Sequence, residues 1–177
     1  LVNVVFNYGS SIVLIVNTIF LVPFYLNYMS LSDYGAWLTA IAATNLIMLV
    51  DPGISSVSSQ RMSKSFSNNS DKDFQGIFIS SIVIALIFSL LIVLLGFFFT
   101  PVSIHLLNYD DPHKVLELEK ALKFYVLSIA LTPIYSTLSA FLQSLLQTFK
   151  DNTINLISIV TSPFVIVVGL INDLGLV

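Results

Sequence analysis

An all-α, polytopic membrane helical bundle of about five transmembrane helices is the fold class this sequence predicts, and three observations predict it. Five long apolar stretches fill the chain: Phe6–Tyr28, Tyr34–Val57, Phe74–Ile104, Leu122–Leu146 and Ile154–Ile171. Apart from Lys123 at the edge of the fourth, they hold one charged side chain, Asp51. The composition is 56 % hydrophobic and 10 % charged, where a soluble domain carries about 25 % charged residues, and the mean hydropathy is +0.92. A run of about 20 apolar residues spans a bilayer as a helix, whereas soluble core helices are shorter and amphipathic.

A chain of 177 residues with five spans makes one transmembrane domain, with helices expected over about 6–28, 34–57, 74–99, 122–146 and 154–171. The chain starts at Leu1 inside an apolar run and stops soon after the fifth span. We therefore expect an incomplete N-terminal lobe of a longer protein. The first span exceeds the roughly 7–15 residue core of a signal peptide. There is no cysteine, and the two histidines, His105 and His113, share one loop without a ligand cluster, so neither a metal nor a cofactor is expected.

Helix one carries Pro23 near its outer end, where a kink costs least. The short Asn27–Asp33 connection makes helices one and two antiparallel neighbours. Helix two is interrupted at Asp51-Pro52-Gly53, and a serine-rich stretch follows with Arg61, Lys64 and Lys72. Helix three is apolar nearly all round, as a lipid-facing helix should be. The loop Thr100–Ala121 is acidic on balance, and a tight Thr148–Thr153 turn joins helices four and five. With the N-terminus inside, the first two loops hold no positive charge outside and three inside, so the N-terminus is expected in the cytoplasm.

Polar side chains recur along these helices at helical spacing. Helix one offers Asn3, Asn7, Ser10 and Asn17; helix two offers Thr44, Asp51, Ser55 and Ser58 or Ser59. Helix four carries Tyr125, Ser128, Thr132, Tyr135 or Ser136, Ser139, Gln143 and Gln147, and helix five Asn155, Ser158 and Ser162. Facing lipid is costly for such groups, so the stripes mark faces buried in protein or lining water. Individually they read as helix–helix hydrogen bonding. The helix-four stripe covers roughly 33 Å at 1.5 Å per residue, close to a full bilayer, which favours a water-filled path for the stripe as a whole. Its neutral hydroxyls and amides suit hydroxyl-rich cargo such as sugars better than a small ion.

Two charged features have two readings each. Asp51 is either a coupling or cargo-contacting carboxylate or the N-cap of a short interfacial helix, with Pro52 in its first turn. Arg61 and Lys64, an i, i+3 pair, either anchor the chain on anionic membrane lipids or meet a phosphate or pyrophosphate head group. An enzyme is not expected: the dense acids from Asp110 to Glu119 read as a solvated loop, and no catalytic residues emerge. Nucleic-acid binding has no support.

Leu21-Val22-Pro23-Phe24-Tyr25-Leu26, the turn Leu31-Ser32-Asp33-Tyr34-Gly35-Ala36-Trp37, and Leu49-Val50-Asp51-Pro52-Gly53-Ile54 resemble the bacterial polysaccharide flippases. These include the O-antigen transporters, within the superfamily that also holds the multidrug and toxic-compound exporters. Phe141-Leu142-Gln143 to Gln147 is a looser match, with Ser144 and Thr148 where glycine and a basic residue are common. The resemblance implies twelve helices in two lobes and alternating access in the bacterial cytoplasmic (inner) membrane. It implies translocation of a lipid-linked oligosaccharide, an undecaprenyl-pyrophosphate-linked repeat unit, for lipopolysaccharide or other surface polysaccharide. Polysaccharide polymerase and other assembly proteins are the partners it suggests. Helix one lacks the acid typical of the drug exporters and the early helices lack the arginines of peptidoglycan-precursor flippases. A cation-coupled exporter, resting on Asp51, and a non-transporting scaffold of a glycan assembly complex are the alternatives.

Overall fold

The computed structural model describes residues 2–28, 30–45, 53–106 and 112–171. Every element among them is helical: α1 Val2–Tyr28, α2 Leu31–Asn45, α3 Ile54–Ser67, α4 Asp71–Leu106, α5 Pro112–Ala130, α6 Thr132–Ser144 and α7 Thr148–Ile171. Residues 1–39 with 149–177 form one compact unit and residues 40–148 a second. Among the described residues, three stretches are long and apolar enough to cross a membrane: Tyr8–Tyr28, Asp71–Val102 and Val115–Ser144.

In the first unit, α1 and α7 are tied by a side chain. The Asn17 amide donates to the Ile159 carbonyl at 2.9 Å. That carbonyl lies four residues before Pro163, so it is the acceptor that proline, lacking an N–H, leaves without its helical partner. The amide of one helix thus repairs the backbone of another. Tyr25 and Tyr34 stack across the α1–α2 connection with ring centres 5.7 Å apart. Ser30 starts α2: its hydroxyl donates to the Asp33 carboxylate at 2.6 Å and accepts the Asp33 N–H at 3.1 Å, a serine cap with an acid in the first turn.

In the second unit, α4 packs against α3, α5 and α6. Its buried positions are mostly small: Ser81, Ala85, Gly96 and Thr100, with Ile92 and Ile104 among them. Residues of this size at roughly one-turn intervals let helices approach closely in a membrane. At Gly96 the approach is closest, since any side chain there would overlap Val126 of α5. The helix that is apolar nearly all round thus packs on three helices, as α6 does, through this one side, while most of its large apolar side chains stay exposed.

Two expected helices are divided. Gly53 has φ 68, a left-handed backbone that ends any single helix through 34–57 and places the start of α3 at Ile54. In place of one helix over 122–146, α5 and α6 meet at Leu131, with Pro133 in the first turn of α6, where a missing N–H is harmless. The expected loop Thr100–Ala121 is largely helical: α4 runs to Leu106 and α5 begins at Pro112. On α5, Leu118, Ala121 and Leu122 are buried while Glu119 and Lys123 pair at 2.6 Å on the more exposed side.

Both α3 and α6 end in the same six-residue motif. After α3, Ser70 N–H reaches the Ser65 carbonyl at 3.0 Å and Asn69 N–H reaches Phe66 at 3.1 Å, with Asn69 at φ 54. After α6, Gln147 N–H reaches Leu142 at 2.9 Å and Leu146 N–H reaches Gln143 at 3.0 Å, with Leu146 at φ 60. Asparagine tolerates this conformation; leucine does not, and its side chain here is 85 % exposed. Leu146→Gly is expected to raise stability by about 1 kcal/mol, read as a shifted unfolding midpoint in detergent.

Candidate functional site

The polar stripes of α3 and α6 meet. Ser55 and Ser59 of α3 and Tyr135, Ser136, Ser139 and Gln143 of α6 line a pocket of about 230 Å³. Its chemistry follows from spacing. On α6, residues 135 or 136, 139 and 143 stand three or four apart and share one face; on α3, residues 55 and 59 do the same. The Gln143 amide donates to the Ser139 hydroxyl at 3.0 Å. Among the described residues, no charged side chain lines this pocket. Its wall offers hydroxyl donors and acceptors, one phenol and one amide, a set that exchanges hydrogen bonds with a polyhydroxylated or hydrated guest without trapping a charge.

On its other side α3 faces α4, and the character changes. A groove of about 660 Å³ carries Arg61 and Ser65 of α3 beside Lys72 and Asp73 of α4. Arg61 is thus brought together with Lys72, across the hairpin, and Lys64 does not line the groove. Between the two helices the Ser58 and Ser81 hydroxyls pair at 2.7 Å and are buried.

The other predicted residues have separate places. Asn17 is taken up by the Ile159 carbonyl, a helix–helix contact. Tyr125 of α5 donates its hydroxyl to the Asn45 side-chain oxygen at 2.7 Å, binding α5 to the end of α2. Ser128 is exposed on the last turn of α5 and Thr132 opens α6, half-buried; neither lines the pocket. Asn7 lies on α1 and its side chain is outside the described set, and Asp51 is outside the described residues altogether. The stripe predicted along helix four is therefore two things: packing contact at Tyr125 and pocket wall from Tyr135 to Gln143. Lys72 and Ser56 were missed. Ser56 also lines the pocket, and its place three residues before Ser59 was the available signal. For Lys72 no local spacing gives one, because the α3–α4 turn makes the pairing with Arg61.

Three stretches long and apolar enough to cross a membrane define a multi-pass membrane protein. The chain belongs to the MatE family, which it matches over residues 20–168, and so to the multidrug, oligosaccharidyl-lipid and polysaccharide exporter superfamily, whose members are transporters rather than enzymes. The match spans both the pocket and the groove. No curated protein and no solved structure matches the chain.

Proposed function

We propose that this protein translocates a lipid-linked oligosaccharide, an undecaprenyl-pyrophosphate-linked repeat unit, across the bacterial cytoplasmic membrane for surface polysaccharide synthesis, with its N-terminus in the cytoplasm. The observation that supports this reading is the α3–α6 pocket, whose lining is entirely neutral and mostly hydroxyl. Sugars arrive with many hydrogen bonds to water, and each must be replaced. A wall of hydroxyls replaces them at about 0.5–1.5 kcal/mol each, enough to admit the sugar and little enough to release it. An exporter of lipophilic cations would be served by an apolar or aromatic wall and an acid, and among the described residues no acid lines the pocket.

In a strain lacking the gene, lipid-linked repeat units should accumulate on the inner leaflet and wild-type protein should clear them. An unchanged pool with lost export of a small amphiphile would replace this reading with the exporter. The scaffold reading is separated by labelling. The sequence has no cysteine, so single cysteines at Ser136 and Ser139 can be probed with a membrane-impermeant maleimide. Reaction at both positions is expected, with Ile79→Cys on α4 as an apolar control that stays unreactive; silence at both pocket positions rejects a water-filled path.

A further inference from the structure

We propose that the α3–α4 groove holds one anionic glycerophospholipid, its phosphate between Arg61 and Lys72 and an acyl chain along Ile54, Val57 and Ile84. This site is separate from the transport pocket, on the other side of α3. The groove is graded along its length. Lys72 and Asp73 lie at the hairpin end, Arg61 lies one turn from Val57 nearer the Ser58–Ser81 contact, and Ile54 and Ile84 lie at the far end. Twelve residues of α4 separate Lys72 from Ile84, about 18 Å of helix, close to the roughly 15 Å of hydrocarbon in one leaflet. A lipid whose head sits at the membrane face therefore has its chain where the groove is apolar.

The polar groups in the middle make no claim on a guest. Ser58 and Ser81 satisfy each other at 2.7 Å, and Ser80 donates to the Gly76 carbonyl at 2.8 Å. A hydrocarbon chain can lie over them without stranding a donor. At the head end, Asp73, in the first turn of α4, accepts the Ser70 hydroxyl at 2.6 Å. Among the described residues, neither Arg61 nor Lys72 forms an ion pair. Two cations and one acid leave a net single positive charge, the complement of one phosphodiester rather than of a pyrophosphate. Arginine supplies the planar donor pair that fits two phosphate oxygens, and lysine the point charge beside it. Free phosphate would use only the charged end and leave the isoleucines and valine uncovered.

The test is native mass spectrometry of the intact purified protein titrated with phosphatidylglycerol and, in parallel, phosphatidylcholine, with no oligosaccharide lipid present. Wild type should retain phosphatidylglycerol in preference. Arg61→Gln with Lys72→Gln should weaken that retention roughly fivefold for each cation removed, about twenty-five-fold together. Lys64→Gln removes the same charge outside the groove and should leave retention unchanged. Ile84→Asn, which spares both cations, should weaken both lipids alike. Equal retention by wild type and the double variant overturns the site, as does an equal loss in Lys64→Gln. In a second, separate titration, stoichiometric displacement of bound phosphatidylglycerol by undecaprenyl-pyrophosphate-linked sugar would overturn the site and reassign the groove to cargo. Because the lipid is read without transport, failure here leaves the flippase reading standing, and the reverse holds too.

Discussion

Asn17→Ala is expected to destabilise the protein by about 1–3 kcal/mol, the cost of a part-buried acceptor left without its donor. Interhelical hydrogen bonds in membranes often contribute less, about 0.6–2 kcal/mol, because the broken partner finds another donor. The Ile159 carbonyl has no such recourse. Its own helical donor would be the N–H of residue 163, and that residue is proline. The prediction is therefore conditional, and a double-mutant cycle reads the condition. In Pro163→Ala the helix regains its N–H and closes its own bond to Ile159. Asn17→Ala in that background should then cost only a few tenths of a kcal/mol. Denaturant unfolding in detergent measures both legs. An equal cost in both backgrounds would show that Asn17 acts through something other than the proline-freed carbonyl.

The second large effect is on transport. Ser139→Phe should reduce repeat-unit translocation by more than tenfold while leaving the protein folded, because the ring fills a pocket of about 230 Å³ from its α6 wall. Ser139→Ala keeps the space and removes one hydroxyl, so its effect should be about two- to tenfold, the equivalent of one hydrogen bond. Ile79→Phe adds bulk at an exposed position of α4 and should transport normally. The assay is clearance of the lipid-linked pool in cells, with membrane expression of each variant measured alongside. Normal transport by Ser139→Phe would remove the pocket from the cargo path.

The class of fold and much of the pocket were legible in the sequence for one reason: both are written in local periodicity. Apolar runs report the bilayer, and hydroxyls three or four apart report a shared face, which is how Ser55, Ser59, Ser136, Ser139 and Gln143 could be named. Features made by side chains distant in sequence, or by contact without polarity, were not legible. Arg61 and Lys72 share a groove because Asn69 adopts a left-handed backbone and turns α4 back along α3. Local spacing pointed to Lys64 instead. The division at Leu131 is invisible to hydropathy, which stays high through it, although Pro133 was a start signal of the right kind. The amphipathic first half of α5 was hidden by its charges. Leu118, Ala121 and Leu122 stand at helical spacing beneath Glu119 and Lys123, but an average over the window sees only the charges. Ser30 and Ser70, each followed three residues later by an aspartate, marked the starts of α2 and α4 and were readable.

The central place of α4 also bears on how the chain enters the membrane during synthesis. An uninterrupted apolar helix partitions from the translocon into lipid by itself, since each leucine, isoleucine or phenylalanine at its centre favours insertion. The segment after it, with serines, a glutamine, Lys123 and a proline, has a far smaller drive to leave the aqueous channel. Its buried face, Leu118, Ala121, Leu122 and Val126, meets α4 at the Gly96 surface. Insertion of the polar segment is thereby coupled to a template already in lipid, and the groups of α6 that line the pocket reach the bilayer interior by docking rather than by partitioning.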